Sequence, residues 1–154
     1  MTIEPPREDI ETGLNRRLTV ILLRICSLVL FALGLSYWAL IVGLGSPLPS
    51  LVAPLPRFDL MTTPWKVAAP TLAVLYPVGG VGLWMTARWG PVVWGLILLV
   101  ECIMQFAFAP LFGDRMTIIV LHGWGFLMLG LLRAVVWRGK RSGHGTRGRG
   151  QLRG

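Results

Sequence analysis

Residues 84–101 read WMTARWGPVVWGLILLVE, and the turn in their middle decides the fold. Glycine can end one helix and proline can start the next, because proline's missing N–H falls among those a helix start leaves unpaired anyway. Arg88-Trp89-Gly90-Pro91 is therefore read as a very short connection between two helices, which must then be antiparallel neighbours. The chain on either side is apolar for about 20 residues, the length needed to cross a ~30 Å hydrocarbon core.

Working outward from this turn, four segments meet that length, at about residues 18–44, 64–87, 91–109 and 116–137. The first is most apolar after Arg24. Thr63 followed by Pro64 suits the N-cap and first helical position of the second. Pro110 and Gly113 interrupt the third, Asp114 can cap the fourth and Gly139 is placed to end it. Composition agrees, since 54% of the 154 residues are hydrophobic and 14% charged, against about 45–50% and about 25% in soluble domains. A soluble chain would need polar residues over most of its helix surfaces, and these runs do not supply them. The expectation is an all-α, four-helix transmembrane bundle. The apolar run after Arg17 is too long for the core of a cleaved signal peptide and reads as an uncleaved signal anchor.

Orientation follows from the basic residues. With both termini cytoplasmic, the inner side holds Arg7, Arg16, Arg17, Arg24, Arg88, Arg133, Arg138, Lys140, Arg141, Arg147, Arg149 and Arg153, and the outer side only Arg57, Lys66 and Arg115. That bias predicts an N-in, C-in topology. Trp84, Trp89, Trp94 and Trp137 fall near the inner boundary and Tyr37, Trp38 and Trp65 near the outer one, as an aromatic belt would. The net charge of +8 is thus read as a record of orientation. The domain plan is a cytoplasmic arm (1–17), a four-helix domain (18–138) and a basic, Gly/Arg-rich tail (139–154) expected to be disordered alone.

Two stretches stand out within that plan. The outer connection, residues 45–63, holds Pro47, Pro49, Pro54 and Pro56 among apolar side chains, too apolar for a free loop and too proline-rich for a helix. It is expected to lie along the outer interface or to cap the bundle. The second helix contains Pro70 and Pro77, the latter followed by Val78-Gly79-Gly80-Val81-Gly82. Pro77 should kink the helix near residues 72–75, and the glycines should let a neighbour approach closely.

Glu101 is the residue most open to a chemical role. It lies ten positions after Pro91, which places it near mid-bilayer at ~1.5 Å per residue. An ionisable group there costs about 2.5–3.5 kcal/mol on insertion scales, so it should face other helices or a wet cavity. Gln105 follows at i+4 on the same face, and His122 of the antiparallel fourth helix falls at a similar depth. Glu101, Gln105 and His122 are therefore candidates for one polar cluster. Read structurally, the cluster fixes helix register by hydrogen bonds worth ~0.6 kcal/mol each on average. Read functionally, it relays protons or a small solute. On the structural reading Glu101→Gln should leave the protein largely intact; on the relay reading it should abolish activity.

Other chemistry finds little support. Cys26 and Cys102 both lie in apolar runs, against a disulfide framework or a thiol-exchange pair. No His, Cys and carboxylate set has metal-ligand spacing, a bis-histidine haem would need a second buried histidine besides His122, and no hydrolase motif is present. No metal, cofactor or enzymatic activity is expected. The tail residues Arg138, Lys140, Arg141, Arg147, Arg149 and Arg153 suit anionic lipid, at about 1 kcal/mol each near the surface. Without aromatics to stack on bases, nucleic acid is not expected to bind there.

Tyr37-Trp38, Arg57-Phe58-Asp59-Leu60-Met61, Tyr76-Pro77, Gly82-Leu83-Trp84, Trp89-Gly90-Pro91-Val92-Val93-Trp94, Glu101 and His122 together resemble a family of uncharacterised, small, four-helix bacterial inner-membrane proteins that bear a domain of unknown function. The resemblance covers about residues 36–137. It implies a bacterial cytoplasmic membrane and four helices, and supplies no activity. The leading expectation is a non-enzymatic structural or assembly component of a cell-envelope membrane complex. The rival is a small oligomeric transporter or proton-relay protein using Glu101, Gln105 and His122.

Overall fold

The computed structural model describes residues 7–45 and 58–147. Among them are five α-helices, α1 (Arg7–Val42), α2 (Thr63–Trp84), α3 (Gly90–Phe106), the single turn α4 (Ala109–Phe112) and α5 (Met116–Arg147), with a 3-10 turn at Phe58–Leu60 and no strand. Three helical segments are long and apolar enough to cross a membrane: Gly13–Val42 within α1, all of α2, and Met116–Val135 within α5. The apolar α3 is shorter, at 17 residues, or ~25 Å.

The helices differ from the expected spans at their ends. The first begins at Arg7, so the arm expected before residue 18 is helical over its described part. The third stops at Phe106 rather than 109, where the chain turns into α4 ahead of Gly113. Gly139 does not end α5, which continues to Arg147. A helical glycine costs only about 1 kcal/mol, and the basic residues that follow suit the negative end of the helix dipole. Residues 148–154 and the proline-rich stretch 46–57 lie outside the described residues, as do the side chains of Arg138, Lys140, Arg141 and Arg147.

The chain divides into two compact units. Among the described residues, one joins α1 up to Leu22 to α5 from Gly125 onward; the other is Leu23–Trp124. In the second unit, each helix presents one row of buried residues. On α1 the row is Leu23, Ser27, Leu30, Gly34, Tyr37 and Leu40; on α2 it is Trp65, Ala69, Leu72, Tyr76, Gly79 and Leu83; on α3 it is Gly90, Trp94, Ile97, Glu101 and Met104. Spacings of three and four keep such residues on one helix face. Tyr37, Trp65 and Trp94, read from the sequence as belt aromatics, sit on these rows and are at most 5% exposed. Trp38, Trp84, Trp89 and Trp137 are exposed.

Helix α2 runs unbroken through Pro70 and Pro77, and the consequence of Pro77 appears on its neighbour. Proline has no N–H to give the carbonyl four residues back, and that carbonyl, of Ala73, instead accepts from the indole Nε1 of Trp38 on α1 at 3.0 Å. The Pro77 ring lies against Gly34, where an added Cβ would come within 2.8 Å of Cδ. One turn on, the Ser27 hydroxyl donates to the Gly80 carbonyl at 2.7 Å. A neighbouring side chain that satisfies the freed carbonyl is the usual condition for proline inside a membrane helix.

The turn between α2 and α3 is built differently from the expectation. Gly90 is not the C-terminal cap of α2; that helix ends at Trp84, and Thr86 takes the left-handed conformation with a φ of 53°. Its N–H donates to the Leu83 carbonyl at 3.0 Å and the Ala87 N–H to the Gly82 carbonyl at 2.9 Å, the paired bonds of a Schellman ending. Gly90 instead opens α3 and backs onto Gly82, so closely that a Cβ on Gly90 would lie 2.5 Å from the Gly82 carbonyl carbon. At the other end of α2 the N-cap is Thr62, one residue earlier than expected, with no side-chain capping bond.

Candidate functional site

The buried row of α3 carries Glu101 inward, and its side chain has no exposed surface. Arg115, in the link between α4 and α5, reaches it with a two-pronged contact. Nε donates to Oε2 at 2.5 Å and Nη2 to Oε1 at 2.8 Å. A guanidinium fork matches a carboxylate in this way, and such charge-assisted pairs are the strongest of protein hydrogen bonds. Arg115 is itself only 3% exposed.

Two tyrosines complete the shell. Tyr76 of α2 donates its hydroxyl hydrogen to Glu101 Oε1 at 2.7 Å, and Tyr37 of α1 accepts from Arg115 Nη2 at 2.5 Å. The two rings stack with centroids 5.7 Å apart. Above the guanidinium lies the ring of Trp65, 5.3 Å from Arg115 Cζ and edge-on to Phe112 at 5.2 Å. Burial works against the charge on Arg115, but Tyr37 and Glu101 outweigh it and hold the guanidinium's pKa above its ordinary value.

Of the three residues singled out in the sequence, Glu101 and Gln105 both meet Arg115. Gln105 Oε1 accepts from the Arg115 backbone N–H at 2.7 Å, fixing the link just ahead of α5. There Asp114 Oδ1 accepts from the Met116 N–H at 2.9 Å. His122, 2% exposed, stacks on Tyr76 with centroids 5.9 Å apart and planes 24° from parallel. Among the described residues its ring nitrogens find no side-chain partner, and the polar group they approach is the backbone of Ile118, one turn earlier on α5. His122 thus joins the cluster through a ring face.

The centre of the cluster, Arg115, entered the sequence reading only in the count of basic residues on the outer side; its burial and its pairing with Glu101 are what the structure adds. A signal was present: a lone carboxylate within an apolar span needs a cation, and Arg115 lies in the short connection that follows its helix. Tyr37 and Tyr76 carried no comparable signal: Tyr37, near a span end, reads equally well as a belt residue, and Tyr76, mid-span in α2, as an ordinary core aromatic.

The finished site is a closed polar knot. Through side chains it ties α1 (Tyr37), α2 (Tyr76, Trp65), α3 (Glu101, Gln105) and α5 (His122) to the link at Arg115. Among the described residues no three His, Cys, Asp or Glu side chains gather to hold a metal ion, and Cys26 and Cys102 are free and half-buried. No curated protein and no solved structure matches the chain. The model of a family of unknown function, DUF6163, matches residues 17–140, a stretch that holds every member of the knot, and the chain belongs to that family.

Proposed function

We propose that this chain is a four-pass protein of the bacterial inner membrane with both termini cytoplasmic, acting as a non-enzymatic structural or assembly component of a cell-envelope complex. Three long spans alone would leave the termini on opposite sides. Counting α3 as the fourth crossing returns them to one side, as the twelve-to-three distribution of basic residues favours. Pairing with Glu101 strengthens that reading, because Arg115 is one of the three basic residues on the minority side and its charge is matched internally. The basic tail from Arg138 onward would meet anionic lipid on the cytoplasmic face.

One observation carries the choice of a structural role over transport. Both oxygens of Glu101 are engaged, Oε2 by Arg115 and Oε1 by Arg115 and Tyr76, with no exposed surface. A proton carrier needs a carboxylate oxygen open to the next donor or acceptor in its path, whereas both oxygens here are occupied by donors from Arg115 and Tyr76. The one observation that favours a relay is His122, a buried imidazole stacked on Tyr76 with no side-chain hydrogen-bond partner among the described residues. Purification of the tagged full chain in mild detergent tests the assembly reading. A stoichiometric companion protein is the expected result; a homo-oligomer alone, with proton flux in vesicles that Glu101→Gln abolishes, would move the assignment to transport.

A further inference from the structure

We propose that the corner joining α3 to α5, residues 106–112, is seated among the acyl chains of the outer leaflet, and that the chain first meets the headgroups at Gly113 and Asp114. The length of α3 supplies the first reason. Its 17 residues span ~25 Å, about 5 Å less than a ~30 Å hydrocarbon core, and any tilt shortens that reach. The chain nevertheless stays apolar past the helix end, reading FAFAPLF over residues 106–112 without a polar side chain.

The exposed side of the corner continues a surface that the membrane reading turns to lipid. On α3, Leu96, Leu99, Ile103 and Phe106 are exposed at spacings of three and four, a single row. Phe108 and Leu111 carry the same apolar surface beyond the helix, while Phe112 turns the other way, edge-on to Trp65. The backbone suits lipid too, where no water completes its hydrogen bonds. Pro110 has no N–H to satisfy. The N–H groups of Ala107, Leu111, Phe112 and Gly113 donate to carbonyls one turn back, and those of Arg115 and Met116 to the side chains of Gln105 and Asp114. The charge of Arg115 is matched by Glu101, and the exposed Lys66, next to Trp65, is long enough to reach the headgroups from that depth.

This inference rests on the membrane reading above, and one experiment separates their failures. The full chain bearing Cys26→Ala and Cys102→Ala receives a single cysteine by Leu99→Cys, Phe108→Cys, Leu111→Cys or Asp114→Cys. Each variant is spin-labelled in vesicles of phosphatidylcholine and phosphatidylglycerol. Collision of the label with oxygen, which concentrates among acyl chains, is compared with collision with a water-soluble nickel chelate. Labels replacing Leu99, Phe108 and Leu111 should meet oxygen in excess, and the ratio should reverse at Asp114. Nickel excess at Phe108 and Leu111, with oxygen excess kept at Leu99, overturns the corner and leaves the membrane reading standing. Shielding of Phe108 and Leu111 from both reagents also overturns it, in favour of a protein cover from residues 46–57 or a second copy. Nickel excess at Leu99 overturns the membrane reading, and the corner with it.

Discussion

The indole of Trp38 donates to the carbonyl of Ala73, the very oxygen that Pro77 leaves without a donor in its own helix. The contact couples two residues of α1 and α2 that never touch in sequence logic: the proline creates the need and the tryptophan meets it. Removing the donor by Trp38→Phe should cost about 0.5–1.5 kcal/mol, the net worth of a hydrogen bond. In a Pro77→Ala background the residue-77 N–H returns to Ala73, and the same Trp38→Phe change should cost almost nothing. Unfolding midpoints of the four proteins in detergent give the coupling directly. Equal costs in the two backgrounds would show that the indole acts through packing alone.

The Arg115–Glu101 pair changes what a mutation at Glu101 should do. The sequence suggested that Glu101→Gln would be mild if the residue only set register. With a guanidinium against both oxygens, glutamine strands a buried cation, and loss of one partner of a buried pair costs about 3–5 kcal/mol. The double change Glu101→Leu with Arg115→Met removes both charges and should recover most of that loss, since well-packed apolar replacements of buried pairs are often near neutral. Thermal unfolding in detergent distinguishes the cases. A single Glu101→Gln variant as stable as the wild type would show that the pair does not form in the membrane.

How far the sequence could be read depends on the range of the interaction. Hydropathy reports solvent, residue by residue, so the helices around residues 64–87 and 91–109 were legible, as was the inward placing of Glu101, on a row with Trp94 and Ile97. Helix ends are decided by small local terms, and there the reading slipped: Thr86 terminates α2 in a conformation usually left to glycine, and Gly139 fails to stop α5. Partners distant in the chain were least legible. Tyr37 and Arg115 lie 78 positions apart, and nothing in the composition of either neighbourhood names the other. The short connection after α3 points to Arg115 only where the lone carboxylate is treated as a charge in need of a counterion, a step the sequence reading did not take.

Thr86 is the described non-glycine residue with a positive φ, and it is β-branched, the side-chain type least suited to that region. Its hydroxyl hydrogen goes to the Met85 carbonyl at 2.7 Å in an exposed turn, a bond that water can replace. Thr86→Gly should therefore stabilise the α2–α3 turn. The left-handed penalty of about 1–2 kcal/mol is relieved and about 0.5–1 kcal/mol is returned as glycine's chain entropy, for a net gain on the order of 0.5–1 kcal/mol. A raised unfolding midpoint checks this. A lowered one would mean that the threonine side chain makes contacts worth more than its backbone strain.

Glycines of similar appearance in the sequence should respond to alanine in opposite ways. Gly82 and Gly90 face each other backbone to backbone: a Cβ on Gly82 would lie 2.7 Å from the Gly90 Cα, and neither atom is the end of a flexible side chain. Alanine at either position must push α2 and α3 apart, and overpacking of this kind costs about 1–3 kcal/mol or more. At Gly34 the obstacle is the Pro77 ring at 2.8 Å, itself rigid, so alanine there should weaken the α1–α2 contact and with it the Trp38–Ala73 bond. Gly123 is the contrast. Its Cβ would meet nothing within 4 Å, and replacing a helical glycine by alanine favours the helix by about 0.8–1 kcal/mol in water. Gly123→Ala should leave the unfolding midpoint unchanged or raised while Gly82→Ala and Gly90→Ala lower it. Because Gly123 adjoins His122, the same variant also probes whether close approach to α5 at this level is needed: a loss of stability at Gly123→Ala would reveal a second surface, from a partner or another copy, packed against that glycine in the membrane.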